Sequence, residues 1–143
     1  MFKALAFFAA VAYANSNLDD TAGLFPGDDQ WKSGLVSIDE YKDDIFYWVF
    51  QSRNAPTTDP LVLWLTGGPG CASEVALFYE NGPYQFADDG TLKVNANSWN
   101  SISNLLYVDQ PIGTGFSKGG VHDARSETEV AEDMAIMLRG FLE

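Results

Sequence analysis

Leu61-Val62-Leu63-Trp64-Leu65-Thr66-Gly67-Gly68-Pro69-Gly70-Cys71-Ala72-Ser73 is the stretch whose reading decides the fold. Five apolar residues in unbroken succession mark a strand covered on both faces rather than one wetted on one side. That strand runs directly into Gly67-Gly68-Pro69-Gly70. Successive unhindered backbone N–H groups then stand at the carboxyl edge of a sheet, where ligands bind in open α/β folds. Such donors can stabilise an oxyanion, and the same residues also serve elsewhere as a plain turn.

Working outward, a short helix is expected over residues 75–79, stopped by Asn81-Gly82-Pro83. Tyr84 and Phe86 read as packing residues, and residues 88–100 as a polar connection. Leu105-Leu106-Tyr107-Val108 is a second buried strand, closed by Asp109-Gln110-Pro111, with Asp109 and Gln110 capping its end. Upstream, the body begins near Trp31. Leu35, Val36 and Ile38 suggest one strand, residues 45–50 (Ile-Phe-Tyr-Trp-Val-Phe) another, and Lys42-Asp43-Asp44 a tight turn between them. Residues 52–60 form a polar loop. Downstream, Ser126-x-x-Glu129 is a capping box, followed by Val130, Met134, Met137, Leu138 and Phe141 at helical spacing. Buried strands separated by helices indicate an α/β sheet. The sequence stops on a helix without a following strand, so residues 105–108 are expected at an unpaired sheet edge.

The 143 residues carry 8 Lys+Arg against 20 Asp+Glu, a net charge of −12. A surface of that sign repels phosphate backbones and anionic lipid head groups, which argues against nucleic-acid or membrane partners. Aromatic residues reach 14%, enough to line a core or an apolar pocket. Lys3, an apolar run to Tyr13 and the small-x-small pattern Ala12-Tyr13-Ala14 read as a secretory signal peptide over residues 1–14. Residues 15–30 are an irregular acidic lead-in, and residues 31–143 the domain itself. In an oxidising compartment the single Cys71 implies a buried thiol, a free one, or a partner outside this sequence.

Residues 60–83, PLVLWLTGGPGCASEVALFYENGP, together with Trp99-Asn100 and residues 104–117, NLLYVDQPIGTGFS, resemble the serine carboxypeptidase family. The resemblance runs from about Trp31 to the C-terminus and implies the α/β-hydrolase fold, here as an incomplete N-terminal part of the sheet with flanking helices. Family members are several times longer, so it also implies that the nucleophilic Ser, the Asp and the His lie in regions this segment lacks. Matched residue by residue, Gly68 falls where a backbone N–H helps form the oxyanion hole. Trp64, Thr66, Gly67 and Glu80 fall around the carboxylate of a peptide C-terminus, the substrate the family acts on. Hydrolytic members usually carry Asn at the position of Thr66. Cys71 matches a cysteine that pairs with one much later in the family sequence. No metal or cofactor is implied. The expectation is a secreted or lysosome/vacuole-type serine carboxypeptidase. Its rivals are a carboxypeptidase-like acyltransferase and a non-catalytic secreted relative.

Gly115-Phe116-Ser117-Lys118-Gly119 matches the letters of a nucleophile elbow, with His122 and Asp123 nearby. An elbow needs a strand entering its first Gly and a helix leaving its last. Here a Pro/Gly loop precedes and Gly119-Gly120 follows, so Ser117 and His122 are read as loop residues.

Overall fold

The computed structural model describes residues 23–38, 43–68, 70–119 and 126–143. The expected signal peptide, the first part of the lead-in, Lys42, Pro69, His122 and Asp123 lie outside the described residues. Two β-branched and aromatic runs make an antiparallel pair, β1 (Trp31–Ser37) and β2 (Asp44–Phe50). The chain continues through β3 (Leu61–Trp64), α1 (Glu74–Tyr79), β4 (Tyr84–Phe86) and β5 (Leu92–Val94). A single 3₁₀ turn at Trp99–Ser101, β6 (Asn104–Val108) and α2 (Glu127–Leu142) complete it.

The main sheet has the order β1-β2-β6-β3. Both strands at its centre alternate between two cores. Ile45, Tyr47, Val49, Leu106 and Val108 face α2, whose Met134, Met137 and Phe141 are buried against them. Phe50, Leu105 and Tyr107 face the opposite layer, made of Phe25, Ala76, Leu77 and Tyr84. A strand with apolar neighbours on both faces reads as a continuous run, which is why β6 is buried at every position.

Three expectations change. Residues 105–108 do not sit at an open edge: β6 is flanked by β2 and β3, and among the described residues the open edge is β3. At that edge β3 is half-buried along its length while still packed on both faces, Leu61 and Leu63 against the α2-side core and Val62 and Trp64 against the opposite one, and Leu65 has left the strand. Residues 84–94 form a hairpin, β4 paired with β5, where part of the polar connection was expected, while Tyr84 and Phe86 pack as read, Tyr84 in the core and Phe86 against Phe78 and Tyr79. Its turn carries Gly90 at φ +81°, a backbone that L side chains rarely adopt.

The lead-in lacks regular structure over residues 23–30 yet is anchored to the body. Phe25 is buried and stacks on Tyr84 with ring centroids 4.4 Å apart. Asp29 pairs with Arg53 at 2.7 Å. Ser126 caps α2 as its sequence pattern requires, its Oγ accepting from the Glu129 N–H at 3.2 Å.

Met137 is fully buried between α2 and the sheet, whereas Ile136 beside it is 41% exposed. Urea unfolding should show Met137→Ala losing about 2–5 kcal/mol and Ile136→Ala within about 0.5 kcal/mol of the parent. Equal costs at the two positions would contradict this placement of α2.

Candidate active site

Strands β3 and β6 are parallel, with Trp64 opposite Tyr107. Their carboxyl ends therefore share one edge, and the loops of residues 65–73 and 109–117 leave the sheet side by side. Ser73 ties them together. Its hydroxyl donates to the Val108 carbonyl at 2.6 Å and accepts from the Thr66 N–H at 3.3 Å. Its own N–H donates to Asp109 Oδ1 at 2.7 Å, and Asp109 Oδ2 accepts from the Phe116 N–H at 2.9 Å. Ser73 and Asp109 are each 1% exposed, so no water competes for these bonds.

The residues expected at the site fall along this edge. Trp64 is half-buried, its ring packs edge-on against Trp99 at 5.3 Å, and its Nε1 has no hydrogen-bond partner. The buried Oγ1 of Thr66 likewise has none. Gly67 and Gly68 are exposed, and Gly70 follows at φ +82°. A Cβ added at Gly68 would lie 3.0 Å from Cys71 Sγ and 3.1 Å from Cys71 N, so a side chain there requires Cys71 to give by a few tenths of an ångström. Cys71 is exposed with a free thiol, which removes the buried-thiol reading.

Glu80 stands apart from this group. It is the exposed C-cap residue of α1, and its carboxylate makes no hydrogen bond to Trp64, Thr66 or Gly67. Its charge nevertheless acts on Tyr107: burial pushes that hydroxyl well above its ordinary range, and Glu80 adds to the effect. The Tyr107 hydroxyl donates to Asn81 Oδ1 at 2.9 Å, and the buried Nδ2 of Asn81 is unpartnered. Gly82 follows, and a Cβ there would overlap the Leu77 carbonyl. The turn after α1 thus closes only on glycine, which places Glu80 and Asn81 near the end of β6.

The hydroxyl of Ser117 is engaged on both sides. It donates to the Asp109 carbonyl at 2.6 Å and accepts from the Phe46 N–H at 2.8 Å. Ser117 is 6% exposed and stitches β2 to the end of β6. Among the described residues no group of three or more His, Cys, Asp or Glu side chains is arranged to hold a metal ion.

Sequence reasoning missed Ser73 and Glu74. Ser73 is the N-cap of α1 but makes no side-chain cap bond; its hydroxyl reaches across to β6 instead. Glu74 opens the helix half-buried. Burial above all pushes its carboxyl up to about 7, opposed by its own backbone N–H and assisted by the neighbouring Asp109 carboxylate. The acid directly after Ser73 was the available signal, but its partner is 35 positions away in the sequence.

Sequence and structure comparisons give the chain its family. A family model described as serine carboxypeptidase matches residues 25–143. Serine carboxypeptidase S10 family member 1 of Dictyostelium discoideum is 50% identical over 113 residues, covering 77% of this chain and 27% of that protein. Carboxypeptidase S1 of Penicillium janthinellum is 41% identical over 128 residues, 89% of this chain and 29% of that protein. The crystal structure of Kex1(delta)p, a prohormone-processing carboxypeptidase from Saccharomyces cerevisiae, matches with a TM-score of 0.66 and 30% identity, covering 79% of this chain and 27% of that one. The chain thus spans 27% and 29% of the two curated relatives, just over a quarter of their length.

Ser73→Ala should leave the Val108 carbonyl and the Thr66 N–H without their partner, a cost of about 1–3 kcal/mol in urea unfolding. Amide exchange at Thr66 should accelerate more than at Leu63, within β3. Unchanged Thr66 exchange would contradict the tie between the two loops.

Proposed function

The chain belongs to the serine carboxypeptidase family, and from that membership we propose that residues 61–117 supply the oxyanion and carboxylate-binding side of a serine-type carboxypeptidase site in an α/β-hydrolase fold. The reaction is acyl transfer. A Ser attacks the last peptide carbonyl, the oxyanion forms against preorganised N–H donors, and water releases the shortened peptide. In this reading the Gly68 N–H is one such donor. Trp64, Thr66, Gly67 and Glu80 surround the substrate's free carboxylate. The nucleophile, Asp and His belong to family regions beyond the matched stretch. Cys71 pairs there too, and its exposure leaves it accessible to a partner.

The observation that carries the proposal is the pair of unpartnered polar atoms, Trp64 Nε1 and Thr66 Oγ1, beside the glycine loop. Buried polar groups ordinarily find partners within the protein. A pair left open where β3 delivers its backbone donors is arranged for a ligand that accepts hydrogen bonds, and a peptide carboxylate is such a ligand. The secretory route follows from the same reading: residues 1–14 direct export, and an extracellular or lysosome/vacuole-type compartment is where the enzyme acts.

In the full-length enzyme carrying this segment, kcat/KM should favour free-acid peptides over their C-terminal amides. Gly68→Ala keeps the N–H but presses on Cys71, so it should lower kcat, with the roughly 10²–10³-fold effect of losing one oxyanion donor as the upper bound. Equal turnover of acid and amide, or transfer to an alcohol acceptor with negligible hydrolysis, would overturn the reading in favour of an acyltransferase.

A further inference from the structure

Trp99 is a large aromatic residue on a main chain gripped from both sides. Its N–H donates to the Asn81 carbonyl at 3.0 Å, and its carbonyl accepts from the Ile102 N–H at 3.3 Å and from Ser103 Oγ at 2.8 Å. Ser98, just before it, accepts from the Asn100 N–H at 3.2 Å and donates to the Asn81 carbonyl at 3.1 Å. Asn100, just after it, is fully buried, with its Nδ2 donating to Asp29 Oδ1 and to the Gln51 carbonyl. Yet Trp99 itself is 48% exposed. A ring of that size stabilises a fold mainly through the area it buries, so one left half in water adds less to the core than its size allows. What this ring meets is Trp64, with centroids 5.3 Å apart and planes at 84°. An edge-to-face pair sets the positive edge of one ring on the negative face of the other, so it specifies orientation as well as contact.

Trp64 ends β3, the open edge of the sheet among the described residues. Its neighbour across the sheet is Tyr107, whose hydroxyl donates to Asn81 Oδ1 at 2.9 Å. Asn81 therefore holds both residues beside Trp64: its side chain fixes Tyr107, and its carbonyl fixes the main chain of Trp99. The contacts close into a ring through Trp64, Tyr107, Asn81 and Trp99. Within it the Trp64 Nε1 is buried and has no partner among the described residues. A buried donor left open is costly, so an indole able to turn would relieve it elsewhere. Packing against a fixed neighbour keeps the N–H where it is.

Resting on the carboxylate-binding role given to Trp64 above, we infer that Trp99 is a positioning residue for the reaction: its ring fixes the orientation of the Trp64 indole, so that the Nε1–H stands ready for the substrate's terminal carboxylate. Trp99 acts through Trp64 and touches no reacting atom in this role. Its loss weakens the binding of free acids and leaves the chemical step alone.

Two variants of the full-length enzyme test this. Trp99→Leu keeps apolar bulk and every main-chain bond but has no aromatic edge or face, whereas Trp99→Phe keeps both. Trp99→Leu should raise KM for a free-acid peptide by about 2–10-fold, the range of one aromatic pair, with kcat and the KM of the matching C-terminal amide little changed. Trp99→Phe should stay close to the parent. In a Trp64→Phe background, where Nε1 is already gone, Trp99→Leu should cost acid binding nothing further. Far-ultraviolet circular dichroism gives a readout besides activity: the Trp99→Leu and Trp64→Phe difference spectra against the parent should share one coupled indole signal, while the Trp31 and Trp48 pair, 5.6 Å apart, contributes equally to all three proteins. An unchanged KM for the acid in Trp99→Leu, an equal rise for acid and amide, a Trp99→Phe as impaired as Trp99→Leu, an added loss in the Trp64→Phe background, or difference spectra with no shared signal would each overturn the inference. Failure of the carboxypeptidase reading shows itself separately, as equal turnover of acid and amide by the parent enzyme.

Discussion

Parallel pairing of β3 with β6, in the register that sets Trp64 against Tyr107, brings two sequence-distant loops to one edge of the sheet. An antiparallel β3 would send the glycine loop to the opposite end, away from Asp109. Given the pairing, the short reach of a serine side chain suffices to bridge strands, from Thr66 N to Val108 O. Each such bond contributes only about 0.5–1.5 kcal/mol net, but leaving a buried partner unmade costs about 1–3 kcal/mol. The loop is therefore fixed mainly by the penalty for moving it. Its glycines supply a permissive backbone, and Ser73 and Asp109 fix it where the loop meets the sheet edge.

The layer beneath α1 serves the same end. Phe25 stacks on Tyr84 and also meets Trp31, Trp48, Phe50 and Phe78, so the lead-in closes an aromatic cluster over one face of the sheet. Arg53 donates to Asp29, Asn95 and Pro83, joining the lead-in to both sides of the β4–β5 hairpin. Burial alone would raise the Asp29 carboxyl, but the hydrogen bonds from Arg53 and Asn100 hold it below the usual carboxylate range. With the hairpin fixed, the turn at Asn81-Gly82 is fixed as well, and that turn positions Glu80 relative to Tyr107.

Much of this was legible in the sequence for a physical reason: strands covered on both faces leave unbroken apolar runs, and Ser126-x-x-Glu129 is a local signal that needs no tertiary context. The motif at residues 61–73 was legible too, because a strand delivering a glycine loop is written in contiguous residues. What escaped depends on partners far away in the sequence. Whether β6 is central or at an edge is decided by β2, and Ser73 looks like a cap until Val108 is brought beside it. The β4–β5 hairpin did have a local sign, Asp89-Gly90 between Tyr84-Gln85-Phe86 and Leu92-Lys93-Val94, but three-residue strands give little alternation to read. Phe25 and Asp29 sit in an acidic, turn-rich stretch whose composition resembles a solvated tail, and only packing distinguishes them.

The central claim is that the loop leaving β3 receives the oxyanion of a peptide carbonyl. A crystal structure of the full-length enzyme with a peptide boronate bound at the nucleophile measures it directly. The Gly68 N–H should lie about 2.7–3.1 Å from the boronate oxygen that stands for the oxyanion, with the ligand's free carboxylate against Trp64 and Thr66. A boronate oxygen held by donors from another loop, with the Gly68 N–H turned away, would contradict the account.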